Sequence, residues 1–394
     1  MNKREIVILS GVRTAIGDYG GALKDMAAAE LGARVVREAI SRAGVDPQQI
    51  QHGVIGSVLL SEPRDAYISR LCCVNGGMPH SSQALTVNRL CGSGLQAILT
   101  ASKYVALGET DFAIGGGAES MSRAAYLATG MRWGARMGDA KMLDMVVGAL
   151  ADPFEGFHMG ITAENSAEKW GLTREMQDAL AVESHRRAAA AIAAGHFKSQ
   201  ILPIEIASRK GTVVFDTDEH VRGETTIESL AKLKPAFKKD GTVTAGNASG
   251  LNDCAAAVVI AEASAAARQG LQPLARLVAY ATAGVDPRYM GEGPIPAVKL
   301  ALERAGLKLG DIDLIEANEA FAAQALAVAK GLDFDLAKTN PNGSGISLGH
   351  PIGATGAVIT VKALYELQRI GGKYALVTMC IGGGQGIAAI FERL

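Results

Sequence analysis

The chain carries its own half twice, and nothing else in it constrains the fold as strongly. AISRAGVDPQQIQHGVIGSV, starting at Ala39, matches ALERAGLKLGDIDLIEANEA, starting at Ala301, a displacement of 262 residues. The match pairs Arg42 with Arg304, Ala43 with Ala305, Gly44 with Gly306 and Ile50 with Ile312. At the same displacement Gly94 meets Gly356. After a short insertion, the IGGG at 114–117 recurs at 381–384. Matched features in one order predict two copies of a single supersecondary unit packed together.

Each copy alternates strand and helix. EIVILSGV reads as a strand and AELGARVVREAISRAG as an amphipathic helix closed by Gly44. HGVIGSVLL, a helical stretch over 65–75, the strand ALTVN, the helix SGLQAILTASKYVALG and the strand TDFAIGG follow. The second copy opens at ARLVAYATAG and closes with KYALVTMCIGG and GIAAIFERL. Such alternation predicts an α/β fold, with sheets covered by helices and ligands bound where strands end. We expect residues 1–121 with 250–272 to form the first half and 273–394 the second. Residues 122–249 do not repeat and read as an inserted cap over the site. Met121, Met131, Met137, Met142 and Met145 suit an adaptable binding surface or, more simply, core or subunit-interface filler.

Composition excludes several classes of function. Hydrophobic residues make up 48% of 394, enough for a large core, and Lys plus Arg (39) balance Asp plus Glu (40). A net charge of −1 gives no electrostatic reason to expect nucleic acid or an anionic membrane as partner. No stretch approaches the ~18 consecutive apolar residues of a membrane span. MNKREIVILSGVRTAIG is too short in apolar length for a secretory signal and reads as the first strand. The five cysteines, Cys72, Cys73, Cys91, Cys254 and Cys380, are odd in number and form no CxxC pair. They are expected to be reduced thiols in a cytoplasmic protein, with no metal site among them.

Four stretches carry chemistry. In Val87-Asn-Arg-Leu-Cys-Gly-Ser-Gly-Leu-Gln96 a strand runs through a turn into a helix, with Cys91 at the turn. Backbone N–H groups at a helix start favour a thiolate and can bind an oxyanion. In Gly345-Ile-Ser-Leu-Gly-His-Pro-Ile-Gly-Ala-Thr-Gly356, four glycines and Pro351 fix a loop that presents His350, a base for a nearby thiol. Cys380-Ile-Gly-Gly-Gly-Gln-Gly386 sets a second thiol at a strand end, suited to moving a proton. In Glu316-Ala-Asn-Glu-Ala-Phe321, Asn318 ends a strand and can hold a water or a carbonyl oxygen. His52, His80, His185, His196 and His220 sit in no motif and read as packing or surface residues, and Cys72, Cys73 and Cys254 as small core residues.

CGSG, NEAF, GHPIGATGA and CIGGGQG, in this order, resemble the thiolase family, and the likeness runs from Val12-Arg13-Thr14 to the C-terminus. The chain looks most like bacterial β-ketothiolases of the acetyl-CoA acetyltransferase type, in particular broad-chain members linked to polyhydroxyalkanoate supply. The resemblance implies the thiolase fold, two duplicated βαβαβαββ halves in α-β-α-β-α layers with an inserted α/β cap. It implies that Cys91 carries the acyl group as a thioester and that His350 takes its proton. His350 then stabilises an enolate or thioester oxygen beside a water on Asn318. Cys380 is the second acid/base, and the N–H groups of Cys91 and Gly382 form an oxyanion hole. Coenzyme A or acetyl-CoA is a substrate, with no permanently bound cofactor.

The same resemblance sets Arg222 near the CoA nucleotide and Ser229, Leu233 and Phe237 along the ligand. Ala245 and Ser249 follow the pantetheine arm, His158 and Met159 sit by pantetheine and acyl group, and Met290 and Phe321 line the pocket. Met290 within YMGEGPIP points to short or medium acyl chains. The assembly implied is a homotetramer, a dimer of dimers. Two rivals stand beside this reading. A ketoacyl synthase shares the duplicated fold but needs no second reactive thiol. A non-catalytic scaffold or lipid carrier would lack a catalytic residue, whereas Cys91, Asn318, His350 and Cys380 are all present.

Overall fold

Nine strands lie edge to edge in the computed structural model, which describes residues 4–208 and 211–394. In chain order they are β1 (Ile6–Thr14), β2 (Ile50–Gly56), β3 (Gln83–Val87), β4 (Phe112–Ser120), β5 (Asn252–Glu262), β6 (Ala275–Gly284), β7 (Leu314–Ala317), β8 (Tyr374–Ile381) and β9 (Gln385–Arg393). The helices that matter here are α1 (Ala28–Ala43), α2 (Ile68–Asn75), α3 (Ser93–Leu107), α4 (Met159–Trp170), α5 (Arg174–Ala193), α6 (Pro294–Ala305), α7 (Ala322–Leu332) and α8 (Thr355–Ile370).

The duplication is visible strand by strand. The first half runs β1-β5-β4-β2-β3 and the second β6-β9-β8-β7. In both, the first two contacts are antiparallel and the next parallel. The place of β3 is taken in the second half by a single parallel bridge, Ile315 to Thr339. β1 and β6 join the two sheets at Val7–Arg276 and Ile8–Ala275. Helices α1 and α6 end alike, on Gly44 at φ 67° and Gly306 at φ 66°, a left-handed closure that glycine adopts without steric cost.

One expected match fails. Residues 114–117 lie inside β4, whereas 381–384 end β8 and turn into β9, with Gly383 and Gly384 at φ 81° and 84°. The strand equivalent to β4 is β8, and Phe112 against Tyr374 keeps the displacement of 262 without any insertion. Two unrelated glycine runs share a spelling: one lets a buried strand be approached closely, the other makes a hairpin turn.

Hydrophobic patterning stacks these elements in five layers. β1 and β5 are buried along their full lengths, as strands covered on both faces must be. Leu31, Val35, Val36 and Ile40 of α1 pack with Cys72 and Cys73 of α2 against the outer face of the first sheet. Val298 of α6 and Val328 of α7 cover the outer face of the second with Leu376 and Ile390. Between the sheets, Leu95, Ile98 and Leu99 of α3 meet Val358, Val361 and Leu364 of α8. These two helices cross at the glycines the repeat pairs. A Cβ on Gly94 would stand 2.6 Å from the Ala357 nitrogen, and one on Gly356 only 2.3 Å from the Leu95 nitrogen.

The non-repeating segment leaves the sheet after Ser120 and rejoins it at Asn252; between the two, Ile201–Leu202 pairs in parallel with Arg13 and Thr14 of β1. It is fastened to the first half by Arg13, whose guanidinium grips Asp218 at 2.6 and 2.9 Å with neither side chain exposed. It is fastened to the second half by the Ser184 hydroxyl, which donates to Glu319 at 2.6 Å. Met121 is buried, but Met131, Met137 and Met142 are 50%, 96% and 61% exposed, so they are not core filler. Residues 128–142 form no helix or strand that could tuck them inward. Among the described residues no helix is long and apolar enough to cross a membrane, and no acidic, His and Cys cluster fits a metal ion.

Candidate active site

Cys91 sits in the connection between β3 and α3, a turn held by its own polar groups. Leu90 adopts a left-handed φ of 45°, a costly conformation for a branched residue and one that collects at functional sites. The Asn88 side chain accepts from the Leu90 N–H at 2.9 Å. The Ser93 hydroxyl accepts from the Arg89 N–H at 2.8 Å and donates to the Leu90 carbonyl at 2.6 Å. Arg89 reaches across to Gln385 of the second half at 3.2 Å. The result aims the sulfur at two main-chain donors, the N–H groups of Cys91 itself and of Gly382.

His350 comes from the loop before α8 and is buried. Its N–H donates to the Asn252 side-chain oxygen at 2.9 Å, which fixes the loop to the start of β5. Its Nδ1 lies 2.7 Å from the Thr355 hydroxyl and 3.4 Å from the Asn318 amide nitrogen. Asn318 follows β7 in a motif whose two glutamates act as clamps. Glu316 accepts from the buried Lys362 at 2.8 Å, and Glu319 from Ser184 and, at 3.0 Å, from Asn340. Asn318 Oδ1 and His350 Nε2 are buried with no protein partner among the described residues.

These elements enclose a small pocket of about 40 Å³, lined by Leu90, Cys91, Met159, Met290, Phe321 and His350, with Ser249, Gly382, Ala149, Leu150, Ala320 and Ile352 completing it. None of these residues carries a formal charge at neutral pH, so nothing ionic compensates for the loss of water. Burial pushes the Cys91 thiol up to about 11 against the pull of its two N–H donors. Burial alone takes His350 down to about 4. The resting pair is therefore a neutral thiol and a neutral imidazole. Cys380, fully buried among Met159, Met290 and Phe321, is raised well above an ordinary thiol by burial and then by Cys91. A larger apolar cavity of about 350 Å³ lies between α5 and α7, touches Asn318, and contains neither thiol nor His350.

The expected ligand-binding residues divide into two groups. Met159, Met290, Phe321 and Ser249 line the pocket. Phe237 continues from it, stacked on His158 at 4.6 Å and edge-on to Phe321 at 6.0 Å. His158 caps α4 by accepting from the Gly160 N–H at 3.0 Å, and burial lowers its pKa. Leu233 packs close to Gly246, beside the exposed Ala245, while the Ser249 N–H donates to the Ala320 carbonyl at 3.0 Å. Arg222 and Ser229 lie farther out on exposed segments. Arg222 faces Asp18 at 3.5 Å, and the Ser229 hydroxyl donates to Thr226 at 2.8 Å within its own helix cap. Sequence reading missed Thr355, Asn252 and Leu90. Thr355 and Leu90 sit inside quoted motifs, but neither carries a residue type that signals chemistry by itself.

Of the remaining histidines, His52 stacks on Tyr104 at 4.4 Å, His196 faces Asn342 at 3.2 Å, and His185 accepts from the Arg222 N–H at 3.1 Å. All five cysteines are free, and Cys72, Cys73 and Cys254 are fully buried.

The description "Thiolase, N-terminal domain" matches residues 6–264, and "Thiolase, C-terminal domain" matches residues 271–393. The beta-ketothiolase BktB of Cupriavidus necator is 66% identical over 392 residues, covering 99% of this chain and all of that protein. An acetyl-CoA acetyltransferase of Syntrophomonas wolfei is 50% identical over 99% of this chain and all of its own length. The crystal structure of the Bacillus anthracis acetyl-CoA acetyltransferase superposes with a TM-score of 0.97 at 46% identity, covering 100% of this chain and 99% of that one. Human mitochondrial 3-ketoacyl-CoA thiolase in complex with CoA does so at 0.96 and 45%, covering 99% and 98%. A duplicated α/β chain that brings a cysteine and a histidine to one apolar pocket, packs a second buried thiol against the residues lining it, and matches both thiolase domains along almost its whole length, belongs to the thiolase family.

Proposed function

We propose that this enzyme is a β-ketothiolase that makes or cleaves short to medium 3-ketoacyl-CoA through an acyl-Cys91 thioester. One observation carries the reading. A thiol under two main-chain donors shares a small uncharged pocket with a neutral imidazole, and a second thiol is packed against that pocket. Breaking a carbon–carbon bond beside a thioester requires an enolate, and the site offers what an enolate needs: proton carriers and preorganised donors in a place that excludes water.

In thiolysis, Cys91 attacks the 3-keto carbon while its proton passes to His350. Charge developing on the keto oxygen is held by the N–H groups of Cys91 and Gly382. His350 and a water held by Asn318 stabilise the thioester oxygen of the departing enolate, and Cys380 protonates its carbon, releasing acetyl-CoA. Free CoA then takes the acyl group from Cys91. Condensation runs the same steps backward. CoA would enter along Arg222, Ser229, Leu233, Ala245, Phe237, His158 and Ser249, with Met159, Met290 and Phe321 bounding the acyl group. No resident cofactor takes part, and metabolite levels set the direction, toward polyhydroxyalkanoate precursors or fatty-acid breakdown.

The reading extends to assembly. Tyr126, Trp133, Met137 and Phe154 expose 59%, 93%, 96% and 72% of their surface in one cap stretch. Among the described residues no strand pairs with the outer side of edge strand β3, and Leu85 is 40% exposed. A cytoplasmic homotetramer, with 122–249 as the cap between halves 1–121 plus 250–272 and 273–394, would cover both.

The deciding experiment is CoA-dependent thiolysis of a 3-ketoacyl-CoA series from four carbons upward. Cleavage of four- and five-carbon substrates and beyond is expected. Cleavage of acetoacetyl-CoA alone would make the enzyme a dedicated acetoacetyl-CoA thiolase, and no cleavage at all would return the case to the scaffold reading.

A further inference from the structure

The displacement that relates the two halves carries Ser93 onto Thr355, the first residues of α3 and α8. Each hydroxyl sits just after the loop that presents a reactive side chain. The Ser93 hydroxyl has an unambiguous role: it accepts from the Arg89 N–H, so its single proton goes to the Leu90 carbonyl. Thr355 repeats the pattern. Its Oγ1 lies 2.9 Å from the Pro351 carbonyl, an acceptor with no proton to give, and 2.7 Å from His350 Nδ1.

We infer that Thr355 is a positioning residue that holds His350 in the Nδ1–H tautomer, doing for the base what Ser93 does for the nucleophile's turn. When its proton goes to the Pro351 carbonyl, Thr355 offers a lone pair to Nδ1, and across the 2.7 Å contact that nitrogen then donates its N–H. Nε2 is then the basic nitrogen. It has no protein partner among the described residues, and His350 lines the pocket that holds Cys91. When the enzyme is acylated by acetyl-CoA, the Cys91 proton passes to Nε2 as the S–C bond forms. It leaves on the sulfur of departing CoA as the old S–C bond breaks. The Nδ1–H to Thr355 bond persists through both states, so the ring need not turn.

Removing the hydroxyl reverses the preference. The Asn318 amide nitrogen, 3.4 Å from Nδ1, becomes the remaining polar neighbour and favours a bare Nδ1, which sends the ring proton to Nε2. A ring in that tautomer cannot accept from Cys91, and a wrong tautomer costs up to about 10⁴ in rate where this has been measured in a related triad.

This inference rests on the proposed roles of Cys91 and His350, and the test separates the two. Acylation by acetyl-CoA is followed in the pre-steady state for the unaltered enzyme, Thr355→Val and Thr355→Ser. Thr355→Val, which keeps the shape, should acylate roughly 10²-fold more slowly, while Thr355→Ser, which keeps the hydroxyl, should recover most of that rate. If Thr355 only fills space, the order reverses, and the inference falls. Absence of acylation in the unaltered enzyme would instead remove the functional reading. Nitrogen-15 NMR of histidine-labelled unaltered enzyme reads the tautomer without turnover and without any variant. A proton on Nδ1 supports the inference, and a resting proton on Nε2 overturns it.

Discussion

In the proposed mechanism Cys91 and His350 act through what surrounds them rather than through charge. An apolar pocket holds the thiol near 11 and the imidazole near 4, so the proton moves only when a thioester oxygen arrives to take up negative charge. Cys91→Ala is therefore expected to abolish labelling by radioactive acetyl-CoA. Cys380→Ser should still label but turn over at least tenfold more slowly; full turnover would take Cys380 out of the reaction. His350 also links pH to stability. Its folded pKa is depressed from 6.5 to about 4, so the unfolded chain binds the extra proton between those values. The stability that neutral burial preserves is complete above about 6.5 and falls by about 3 kcal/mol as pH drops toward 4. Melting curves across that range should show a shallower fall for His350→Asn. Parallel curves would mean that the imidazole is not held neutral. The residues proposed to react were legible in the sequence because Cys, His and Asn advertise chemistry. Thr355 and Asn252 were not, since a hydroxyl or amide acts on a neighbour only once the fold has set its distance.

Helices α3 and α8 begin just after Cys91 and His350 and come from opposite halves, so the fit between them fixes the separation of the proposed nucleophile and base. Their crossing at Gly94 and Gly356 leaves no room for a methyl group, because the obstacles at 2.6 and 2.3 Å are main-chain nitrogens that cannot rotate away. Alanine normally improves a helix interior by up to about 1 kcal/mol over glycine. Here the overpacking, typically 1–3 kcal/mol, should win. Gly94→Ala and Gly356→Ala are expected to lower the denaturation midpoint and to cut turnover further than stability alone explains, since the helices must part. A variant with raised midpoint and full turnover would show that the crossing has slack. The sequence paired these glycines correctly because close contact in both copies preserves them at one displacement. It mispaired the runs at 114–117 and 381–384, since glycine in a crowded strand and glycine in a left-handed turn are spelled alike.

Across the whole molecule, the segment proposed as a cap must stay seated on both halves while CoA comes and goes, and a buried ion pair does part of this. Arg13 in β1 and Asp218 in the cap are completely buried; the guanidinium also donates to Gln200 at 2.9 Å, and Asp218 accepts the Ile16 N–H at 2.9 Å. Such a pair need not add net stability, because dehydrating two charges offsets their attraction. What it does is penalise separation, since lifting the cap would leave either charge unsatisfied. Arg13→Met should therefore cost about 3–5 kcal/mol, because Asp218 is left buried and unpaired. Arg13→Met with Asp218→Leu should recover most of that loss, and a double-mutant cycle by urea denaturation measures the coupling. If the double variant is as unstable as the single, the contact serves packing and not charge. The recovered variant is the informative one for function: a cap held by apolar contact alone should keep its turnover yet bind CoA more weakly, which KM for CoA reads directly. This tether was hidden from sequence reading, although Val12-Arg13-Thr14 marked where the likeness begins. A buried arginine looks like any other until its carboxylate arrives from 205 residues away.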